Sequence, residues 1–468
     1  MKDNGFTYLH KKILSAPVMI NLELTSGCNL KCRHCYNFWR NDYSSTKDRL
    51  TLDRVDKLID MIITDEVFHV VLTGGEPFLN FEVMEHALKR LHANNVTTSV
   101  NSNLTLATPG KVERLKAAGL DHILTSLNSH DPATNDYMAN RKGAYQKIVE
   151  GIKTAVNHGI RISVNMIVSE INKGHVYETA KLCTELGAKR IFGTRLVPPV
   201  TVDHPEETDF RLDRKGALSA INDLLRAKQD FGIGIGTLIS YPLCLLGDLN
   251  KYEDFVGRGC PAQRGNRMVI TANGETHACT HEMRSYGNVF DIGIKGAFRR
   301  MREWHDGSYL FSGCAECEYI SICRSGCRSA SNAYFKKMDG KDPLFAGKDS
   351  IKVPYKIVIP EEITQAIDSG SSFIVPDRIR FRREEGFYTL NVRWANAFAI
   401  DTELAEFLIQ KQKIREQINL GNMIGGHPQK SLIQLIFKEA VVPEDPNLRE
   451  RFEQGVKLGC SINPEDIP

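Results

Sequence analysis

Residues 27–36 carry the strongest signal in this chain, and they read Gly27-Cys28-Asn29-Leu30-Lys31-Cys32-Arg33-His34-Cys35-Tyr36. Three cysteines within eight residues are typical of a metal site. A cubane iron–sulfur cluster takes four ligands, usually thiolates. Because no fourth cysteine lies nearby, one iron of such a cluster stays open and can hold a substrate or a cofactor.

A structural zinc site made of the same three cysteines and His34 is the alternative. Structural zinc sites usually combine two closely spaced ligand pairs, with the second pair some way downstream. The spacing here, three and then two residues between successive cysteines, differs from that pattern. The loop therefore favours an iron–sulfur cluster, with His34 as a bulky neighbour of the third cysteine.

Short β-branched segments alternate with longer helical patterns between residues 18 and 232. This alternation predicts six βα units on a parallel sheet. The predicted strands cover residues 18–25, 68–73, 97–102, 122–126, 161–168 and 190–196. The predicted helices cover residues 52–63, 81–93, 110–118, 144–158, 175–186 and 214–228. Parallel barrels carry their chemistry on the loops after the carboxyl ends of the strands, and Cys28 follows the first strand directly.

The Cys-x3-Cys-x2-Cys spacing resembles that of the radical S-adenosylmethionine (SAM) enzymes. The resemblance implies an α/β fold with a partial (βα)6 barrel of the TIM type, and it implies SAM and a [4Fe–4S] cluster as cofactors. Cys28, Cys32 and Cys35 would bind this cluster, whose open iron is chelated by the amino and carboxylate groups of SAM. Reduction of the cluster then cleaves SAM to a 5′-deoxyadenosyl radical.

Two glycines follow the second predicted strand, in the sequence Gly74-Gly75-Glu76-Pro77. Glycines at a strand end let the backbone approach a ligand closely. Together with the cysteine loop, these four residues match the motif that binds the SAM amino group in the same superfamily. The resemblance also places Asn103 and Ser126 near the ribose and the methionine carboxylate of SAM, although both residue types are common in turns. Asn128 stands where many relatives carry aspartate.

A second cysteine-rich region runs from residue 244 to residue 327. It resembles the SPASM domain, which carries the auxiliary iron–sulfur clusters of radical SAM maturases. One zinc ribbon fits poorly, because a zinc site uses only four ligands. The resemblance implies up to two auxiliary [4Fe–4S] clusters. It assigns the first to Cys260, Cys279 and Cys327, with Cys244 as the candidate fourth ligand, and the second to Cys314, Cys317 and Cys323.

The usual final cysteine of the SPASM series is missing from this chain. In the family it lies in an Asp-Pro-Leu-Cys turn, and the turn here reads Asp342-Pro343-Leu344-Phe345. Phenylalanine cannot ligate iron, so four outcomes are open: an open iron, an oxygen ligand such as Asp342, a ligand from the substrate, or loss of the cluster. A changed ligand set shifts the reduction potential of a cluster.

The chain is long enough for about three domains. We expect an N-terminal extension over residues 1–15, the barrel over 16–235, the SPASM region over 240–350 and a small α+β domain over 351–468. The last domain resembles the winged-helix elements with which peptide maturases bind leader peptides.

Residues 378–392 alternate on both sides of a Glu-Gly turn, which predicts a β-hairpin. Such modules bind a leader by adding its strand to a sheet edge. The arginines of the hairpin are Arg378, Arg380, Arg382 and Arg383, and their positive field would suit an acidic leader. The alternative is an extra domain that only packs or dimerises.

Composition and charge narrow the functional classes. The net charge of +3 is small for 468 residues, and without a run of like charges nucleic acid is not an expected partner. Since the chain shows no signal-peptide pattern and no stretch of eighteen apolar residues, we expect a cytoplasmic protein without a membrane partner. Cysteines in that compartment favour metal over disulfides. Cys183 and Cys460 stand apart from the cysteine groups and are expected to be inert packing residues.

These motifs predict a radical SAM enzyme that modifies a ribosomally made precursor peptide. It would cleave SAM reductively, with flavodoxin or ferredoxin as the electron donor, and take hydrogen from a carbon of the peptide. The bond that follows is open: a thioether, a carbon–carbon crosslink, an excision, an epimerisation or a decarboxylation. The alternatives are a sulfatase-type maturase that makes formylglycine, a tetrapyrrole-modifying enzyme, and a non-enzymatic iron–sulfur protein, which would have no use for the glycine-rich loop.

Overall fold

A nine-stranded sheet forms the centre of the structure, a computed structural model that describes residues 6–7, 13–37, 48–198, 210–356 and 358–455. The strands are β1 (Phe6–Thr7), β2 (Met19–Glu23), β3 (His69–Thr73), β4 (Thr97–Asn101), β5 (His122–Ser126), β6 (Arg161–Val168), β7 (Arg190–Arg195), β8 (Gly234–Gly236), β9 (Arg267–Ile270), β10 (Thr276–His277), β11 (Phe373–Ile374), β12 (Arg380–Arg383), β13 (Tyr388–Arg393), β14 (Asn396–Ile400) and β15 (Val442–Pro443). The helices are α1 (Leu52–Thr64), α2 (Phe81–Ala93), α3 (Pro109–Ala117), α4 (Pro132–Ala139), α5 (Ala144–Asn157), α6 (Val176–Glu185), α7 (Arg214–Phe231), α8 (Leu243–Leu246), α9 (Val289–Arg300), α10 (Arg302–His305), α11 (Ile320–Cys323), α12 (Arg328–Phe335), α13 (Glu361–Asp368), α14 (Thr402–Ile414), α15 (Pro428–Phe437) and α16 (Pro446–Gly455).

The strand order of the large sheet is β10-β9-β2-β3-β4-β5-β6-β7-β8, and β2 to β8 run parallel in chain order. The sheet does not close on itself, because β10 and β8 are its two edges. The predicted α/β class with a partial (βα)6 barrel is therefore confirmed, with β2–β7 as the six strands. The cysteine-rich region extends this sheet, since β9 pairs in parallel with β2 from Met19 opposite Arg267 to Leu22 opposite Ile270.

The strands and helices follow from their local sequences. β3 reads His-Val-Val-Leu-Thr and is buried at all five positions, as expected for a parallel sheet covered by helices. α1 buries Val55, Leu58, Ile59 and Ile62 on one face. The side chain of Thr51 caps this helix by accepting a hydrogen bond from a backbone amide of the first turn.

The barrel strands also carry polar side chains that contact each other across the sheet. His69 in β3 hydrogen-bonds with the hydroxyls of Thr97 (2.9 Å) and Ser99 (3.2 Å) in β4. His122 in β5 hydrogen-bonds with Ser163 in β6 at 2.9 Å. Burial lowers the pKa of His69 to about 3 and the pKa of His122 to about 4. Both imidazoles are therefore neutral near pH 7.

Residues 358–455, called the C-terminal unit below, contain a second apolar core. The sheet of this unit has the order β1-β14-β13-β12, so the N-terminal strand β1 completes it by pairing with β14. The predicted hairpin is present as β12 and β13, with Arg380 opposite Asn391 and Arg383 opposite Tyr388. The barrel and the cysteine-rich region, by contrast, share one continuous core.

The C-terminal unit packs against the amino-terminal ends of the barrel strands through two arginines of the hairpin. Arg382, only 1% exposed, donates to the carbonyl of Ala16 at 2.7 Å and pairs with Glu384 at 2.7 Å. Arg380 donates to the carbonyl of Asn95 at 2.6 Å. The charge of Arg382 is therefore neutralised by Glu384, whereas Arg380 keeps its charge and directs it toward the barrel.

The turn between β13 and β14 covers the same end of the barrel. The ring of Trp394 stacks on His122, with 5.7 Å between the ring centroids, and the Arg161 guanidinium lies 4.4 Å from the Trp394 centroid. His122 and Arg161 are the first residues of β5 and β6. The C-terminal unit thus contacts the amino-terminal ends of the barrel strands from β2 to β6. No helix in the described ranges is both long and apolar enough to cross a bilayer.

Candidate functional site

The predicted cluster loop follows β2 at the carboxyl-terminal end of the barrel. Cys28, Cys32 and Cys35 are all half-buried in this loop. Arg141 donates to the carbonyl of Asn29 at 2.7 Å, and the Arg33 amide donates to a carbonyl of α4 at 2.9 Å. The loop is thus held over the strand ends by α4 and the residues that follow it.

His34, the candidate zinc ligand, is a neutral side chain in this loop. Burial lowers the pKa of His34 to about 4. In the described ranges, no three His, Cys, Asp or Glu side chains converge tightly enough to hold a single metal ion. Each cysteine of a cubane cluster binds a different iron, so a cluster accepts cysteines that stand too far apart for one zinc ion.

The Gly74-Gly75-Glu76-Pro77 loop after β3 lies directly against the cysteine loop. The Gly75 amide donates to Thr25 O at 2.7 Å, and the Glu76 amide donates to Gly27 O at 2.8 Å. A Cβ atom on Gly74 would collide with Thr25 O, and one on Gly75 would collide with Gly27 O. Gly74 also has a φ of +143°, which side chains rarely tolerate. The glycines therefore allow the close approach that the motif predicts.

Glu76 links this loop to the end of β4. Its side chain is 1% exposed, and its Oε1 accepts hydrogen bonds from Ser102 Oγ (2.7 Å) and Phe78 N (3.1 Å). Its Oε2 accepts from the Asn103 amide at 2.8 Å. Asn103 in turn donates from Nδ2 to Asn29 in the cysteine loop at 2.9 Å. The structure therefore brings Glu76, Asn103 and the cysteine loop into one hydrogen-bonded network, and buried Pro77 begins the short turn that follows.

Ser126 and Asn128 lie at the end of the next strand. Ser126 is the last residue of β5 and is half-buried. Asn128 is 3% exposed, and its Oδ1 accepts a hydrogen bond from the Ile167 amide at 2.9 Å. Its backbone carbonyl accepts from Asn172 Nδ2 at 2.7 Å. Asn128 thus joins β5 to β6, while Ser126 stays at the rim of the barrel.

Cys260, Cys279 and Cys327 form the first auxiliary group. Burial raises the pKa of Cys327 to about 12, and the neighbouring thiols of Cys260 and Cys279 act in the same direction. Burial also opposes ionisation of Cys279, but a hydrogen bond from His281 and the charge of Arg267 outweigh it and lower its pKa to about 6. Arg267 Nη2 donates to Cys279 Sγ at 3.4 Å. The ring of His281 also contacts the ring of Tyr36 at a tilt of 36°, with 4.7 Å between the centroids, so this group borders the barrel loop.

Buried guanidinium groups surround the first auxiliary group. Within the described residues, four arginines interact electrostatically with these cysteines and have a buried Nε atom without a hydrogen-bond partner, namely Arg195, Arg267, Arg324 and Arg328. A buried cation with an unmet donor costs free energy unless an anion lies nearby. An anionic iron–sulfur cluster would supply that charge, so the donor set fits the predicted cofactor.

Cys244, which the resemblance offers as the fourth ligand of the first cluster, lies beside the other three cysteines. It lines one small cavity together with Cys314, Cys317, Cys323 and Phe345. Burial raises the pKa of Cys323 to about 12, and the thiols of Cys244 and Cys314 act in the same direction. We call these four cysteines the second auxiliary group. Cys183 is buried in α6, away from both groups, and Cys460 lies outside the described residues.

A buried ion pair between Arg195 and Asp342 lies between the barrel and the cysteine-rich region. Asp342 Oδ1 accepts from Arg195 Nη1 and the Leu344 amide, both at 2.8 Å. Its Oδ2 accepts from Arg195 Nη2 at 2.5 Å and the Cys327 amide at 2.8 Å. Both oxygens are used within this network, so Asp342 is not available as an iron ligand while the ion pair holds. Arg195 was not predicted from the sequence, where its only signal is a charge at the end of a buried strand.

Residues 22–183 match the family model described as the radical SAM superfamily. The AdoMet-dependent heme synthase of Methanosarcina barkeri is 26% identical over 343 residues, which cover 68% of this chain and 93% of the relative. The mycofactocin maturase MftC of Mycolicibacterium smegmatis is 27% identical over 356 residues, which cover 70% of this chain and 83% of the relative. Streptococcus suis SuiB, crystallised with the precursor peptide SuiA, shares the fold with a TM-score of 0.56 at 17% identity, over 74% of this chain and 77% of SuiB. Residues 22–183 of this enzyme are therefore a radical SAM domain, and the family of that domain uses a [4Fe–4S] cluster and SAM as cofactors.

Proposed function

We propose that this enzyme is a maturase that modifies a ribosomally made precursor peptide. The observation that carries the proposal is the pair of cysteine groups beyond the barrel, because a SPASM series is typical of radical SAM maturases. The similarity to mycofactocin maturase along most of both chains supports it. An extended peptide segment could reach the cysteine loop at the carboxyl-terminal end of the barrel.

In this proposal Cys28, Cys32 and Cys35 bind the catalytic cluster, and Gly74, Gly75, Glu76, Pro77, Asn103 and Ser126 hold SAM. When bound and reduced, the cluster supplies the electron that cleaves SAM, and the resulting 5′-deoxyadenosyl radical takes hydrogen from a substrate carbon. The glycines keep the two loops in backbone contact. Glu76 acts as a positioning residue, since its carboxylate fixes the Asn103 amide.

Trp394, Arg380 and Arg382 lie against the amino-terminal end of the barrel. We therefore place substrate entry at the carboxyl-terminal end, beside the cysteine loop. A substrate segment bound there expels water from the site, which protects a radical from side reactions.

The two auxiliary groups are proposed to hold one [4Fe–4S] cluster each. A radical left on the substrate after hydrogen abstraction has one electron to lose when a new bond forms by oxidation. A nearby cluster can accept that electron, and the first auxiliary group borders the catalytic loop through Tyr36 and His281. Flavodoxin or ferredoxin is the proposed donor of the electron that starts the reaction.

The C-terminal unit is proposed to bind the leader of the peptide. β1 covers one edge of its sheet and leaves β12 as the other edge, where Arg378 and Arg383 are exposed. An acidic leader can add to this edge as a strand. In the double variant Arg378→Glu/Arg383→Glu, leader binding measured by fluorescence anisotropy should weaken, whereas Arg302→Glu on α10 should leave it unchanged. Equal affinity in both variants would assign the unit to packing alone.

A tetrapyrrole-modifying enzyme is the second candidate, because the heme synthase of Methanosarcina barkeri is similar along 93% of its length. The two candidates differ in where the abstracted hydrogen comes from. Reconstituted enzyme with SAM and dithionite should be incubated with a deuterated candidate precursor peptide. Deuterium in 5′-deoxyadenosine and a mass change in the peptide would support the maturase. Deuterium transfer from a labelled porphyrin, with an unchanged peptide, would favour the second candidate.

A further inference from the structure

The turn Asp342-Pro343-Leu344-Phe345 lacks the cysteine that usually completes the second auxiliary cluster. Phe345 contributes no donor atom to iron. Its ring packs on Phe311 with 5.5 Å between the centroids, and its carbonyl accepts a hydrogen bond from Arg214. The position is therefore a well-packed part of the turn that offers no ligand of its own.

Cys244 reaches this turn from a distant part of the sequence. The amide of Ala346, the residue after Phe345, donates to Cys244 Sγ at 3.3 Å. Cys244 also lines the same cavity as Cys314, Cys317 and Cys323. The amide of Leu243 donates to Cys323 Sγ at 3.5 Å, so the segment that carries Cys244 contacts the group at two points.

The short helix α8 fixes this thiol in place. It runs from Leu243 to Leu246, and its three leucines are at most 5% exposed in the main core. Cys244 itself is 7% exposed. A buried thiol held by a packed helix loses little freedom when it binds a metal, which favours ligation.

We infer that Cys244 is the fourth ligand of the second auxiliary cluster and replaces the cysteine absent at Phe345. The inference rests on the proposal that the cysteine-rich region holds clusters. The four thiols bind as thiolates and release their protons to solvent. Asp342, the alternative oxygen ligand, stays paired with Arg195 and the Cys327 amide. The first auxiliary group then keeps three cysteines, Cys260, Cys279 and Cys327, and the iron without a cysteine is the one that can meet substrate.

The test removes the catalytic cluster first, so that only auxiliary iron remains. The full-length variant with Cys28, Cys32 and Cys35 changed to alanine, reconstituted anaerobically, should contain about eight irons if two cubanes form. Adding Cys244→Ala should lower the count to between about four and seven and give a [3Fe–4S]-type signal in electron paramagnetic resonance. Adding Cys183→Ala, a buried cysteine outside both groups, should change neither reading.

A rescue variant separates lost ligation from lost folding. Phe345→Cys, added to Cys244→Ala, puts a thiol at the usual family position and should restore the count to about eight irons. Cys244→Ser, which keeps the packing, should retain iron with a shifted signal. An unchanged iron count and spectrum in Cys244→Ala would overturn the inference.

Repeating Cys244→Ala in a variant that lacks the first auxiliary group shows which cluster loses iron. When Cys260, Cys279 and Cys327 are also alanine, Cys244→Ala should still remove iron. If it acts only in chains that retain these three cysteines, Cys244 belongs to the first cluster and the inference fails. A background chain that holds no auxiliary iron at all would instead contradict the proposed auxiliary clusters, so the two failures give different results.

Discussion

The two ends of the barrel are built in different ways. At the carboxyl-terminal end the loops after β2 and β3 touch through backbone atoms, and Gly74 and Gly75 leave no room for side chains. At the amino-terminal end long charged side chains make the contacts, with Arg382 almost fully buried. Backbone packing fixes positions closely, whereas a buried charge stabilises only while its partners remain. Changes at the first end should therefore reduce catalysis, and changes at the second should reduce stability.

The largest effect is expected from the cysteine loop. Cys28→Ala, Cys32→Ala and Cys35→Ala should each abolish the formation of 5′-deoxyadenosine, because each removes one of the three thiolates that hold the catalytic cluster. Product can be measured by liquid chromatography after anaerobic reconstitution and reduction with dithionite. The matched control Cys183→Ala should keep its activity. Turnover in any of the three loop variants would break the assignment of this end to catalysis.

Gly75→Ala tests the backbone contact between the two loops without removing a cluster ligand. The new methyl group meets Gly27 O, so the two loops must separate, and a displacement of about 1 Å can lower a rate about 100-fold. We expect a loss of this size in SAM cleavage and a weaker SAM affinity, with the iron content unchanged. Gly110→Ala in α3 is the control, because no atom lies within 4 Å of the position that its new methyl group would take. Equal rates in both variants would show that the glycines do not set the loop geometry.

At the amino-terminal end, Arg382→Met should destabilise the enzyme by about 3–5 kcal/mol, the usual effect of leaving a buried charge, here Glu384, without its partner. SAM cleavage by the protein that remains folded should change little. Arg383→Met, on the exposed side of the same strand, should stay within about 0.5 kcal/mol. Urea unfolding and 5′-deoxyadenosine assays check the two readouts. If Arg382→Met stays stable but loses SAM cleavage, the amino-terminal end contributes to catalysis and not to stability, contrary to the prediction.

The smallest expected effect is a pH dependence of stability from the barrel histidines. Their folded pKa values, about 3 for His69 and about 4 for His122, lie below the unfolded value, so the unfolded state binds more protons in acid. Stability is therefore complete above about pH 6.5 and falls as the pH drops, by about 1.4 kcal/mol per histidine at pH 5.5. Unfolding of the wild type and of His122→Gln at pH 7.5 and 5.5 measures this. The variant should show the smaller difference.

The barrel was predictable because its signals are local. Apolar strand runs and amphipathic helices repeat along residues 18–232, and the predicted bounds of β2–β7 agree with the structure to within two residues. The close approach at Gly74 and Gly75 was also visible, since only glycine fits there. The short helix α4 was missed because its eight residues carry a weak apolar pattern.

Contacts between distant segments could not be read in the same way. Nothing in the sequence near Arg267 indicates that β9 pairs with β2. The apolar residues of each short strand predict a strand but do not identify its neighbour in the sheet. The family pattern offered Cys244 as a ligand of the first cluster, but its nearness to Cys314, Cys317 and Cys323 depends on distance in space, which the sequence does not give. Arg382 reads as a solvated strand residue, and its burial follows only from where the hairpin docks.

The pairing of β2 with β9, and of β1 with β14, also bears on how the chain assembles on the ribosome. β2 is made early, but its second neighbour emerges about 250 residues later, which takes roughly 12–50 s at ordinary rates of synthesis. β1 stays without its partner β14 for longer still, until residue 400 has been made. During that interval an apolar strand edge is exposed and prone to mispairing. The edge of β2 that β9 covers therefore stays exposed until the cysteine-rich region has been made.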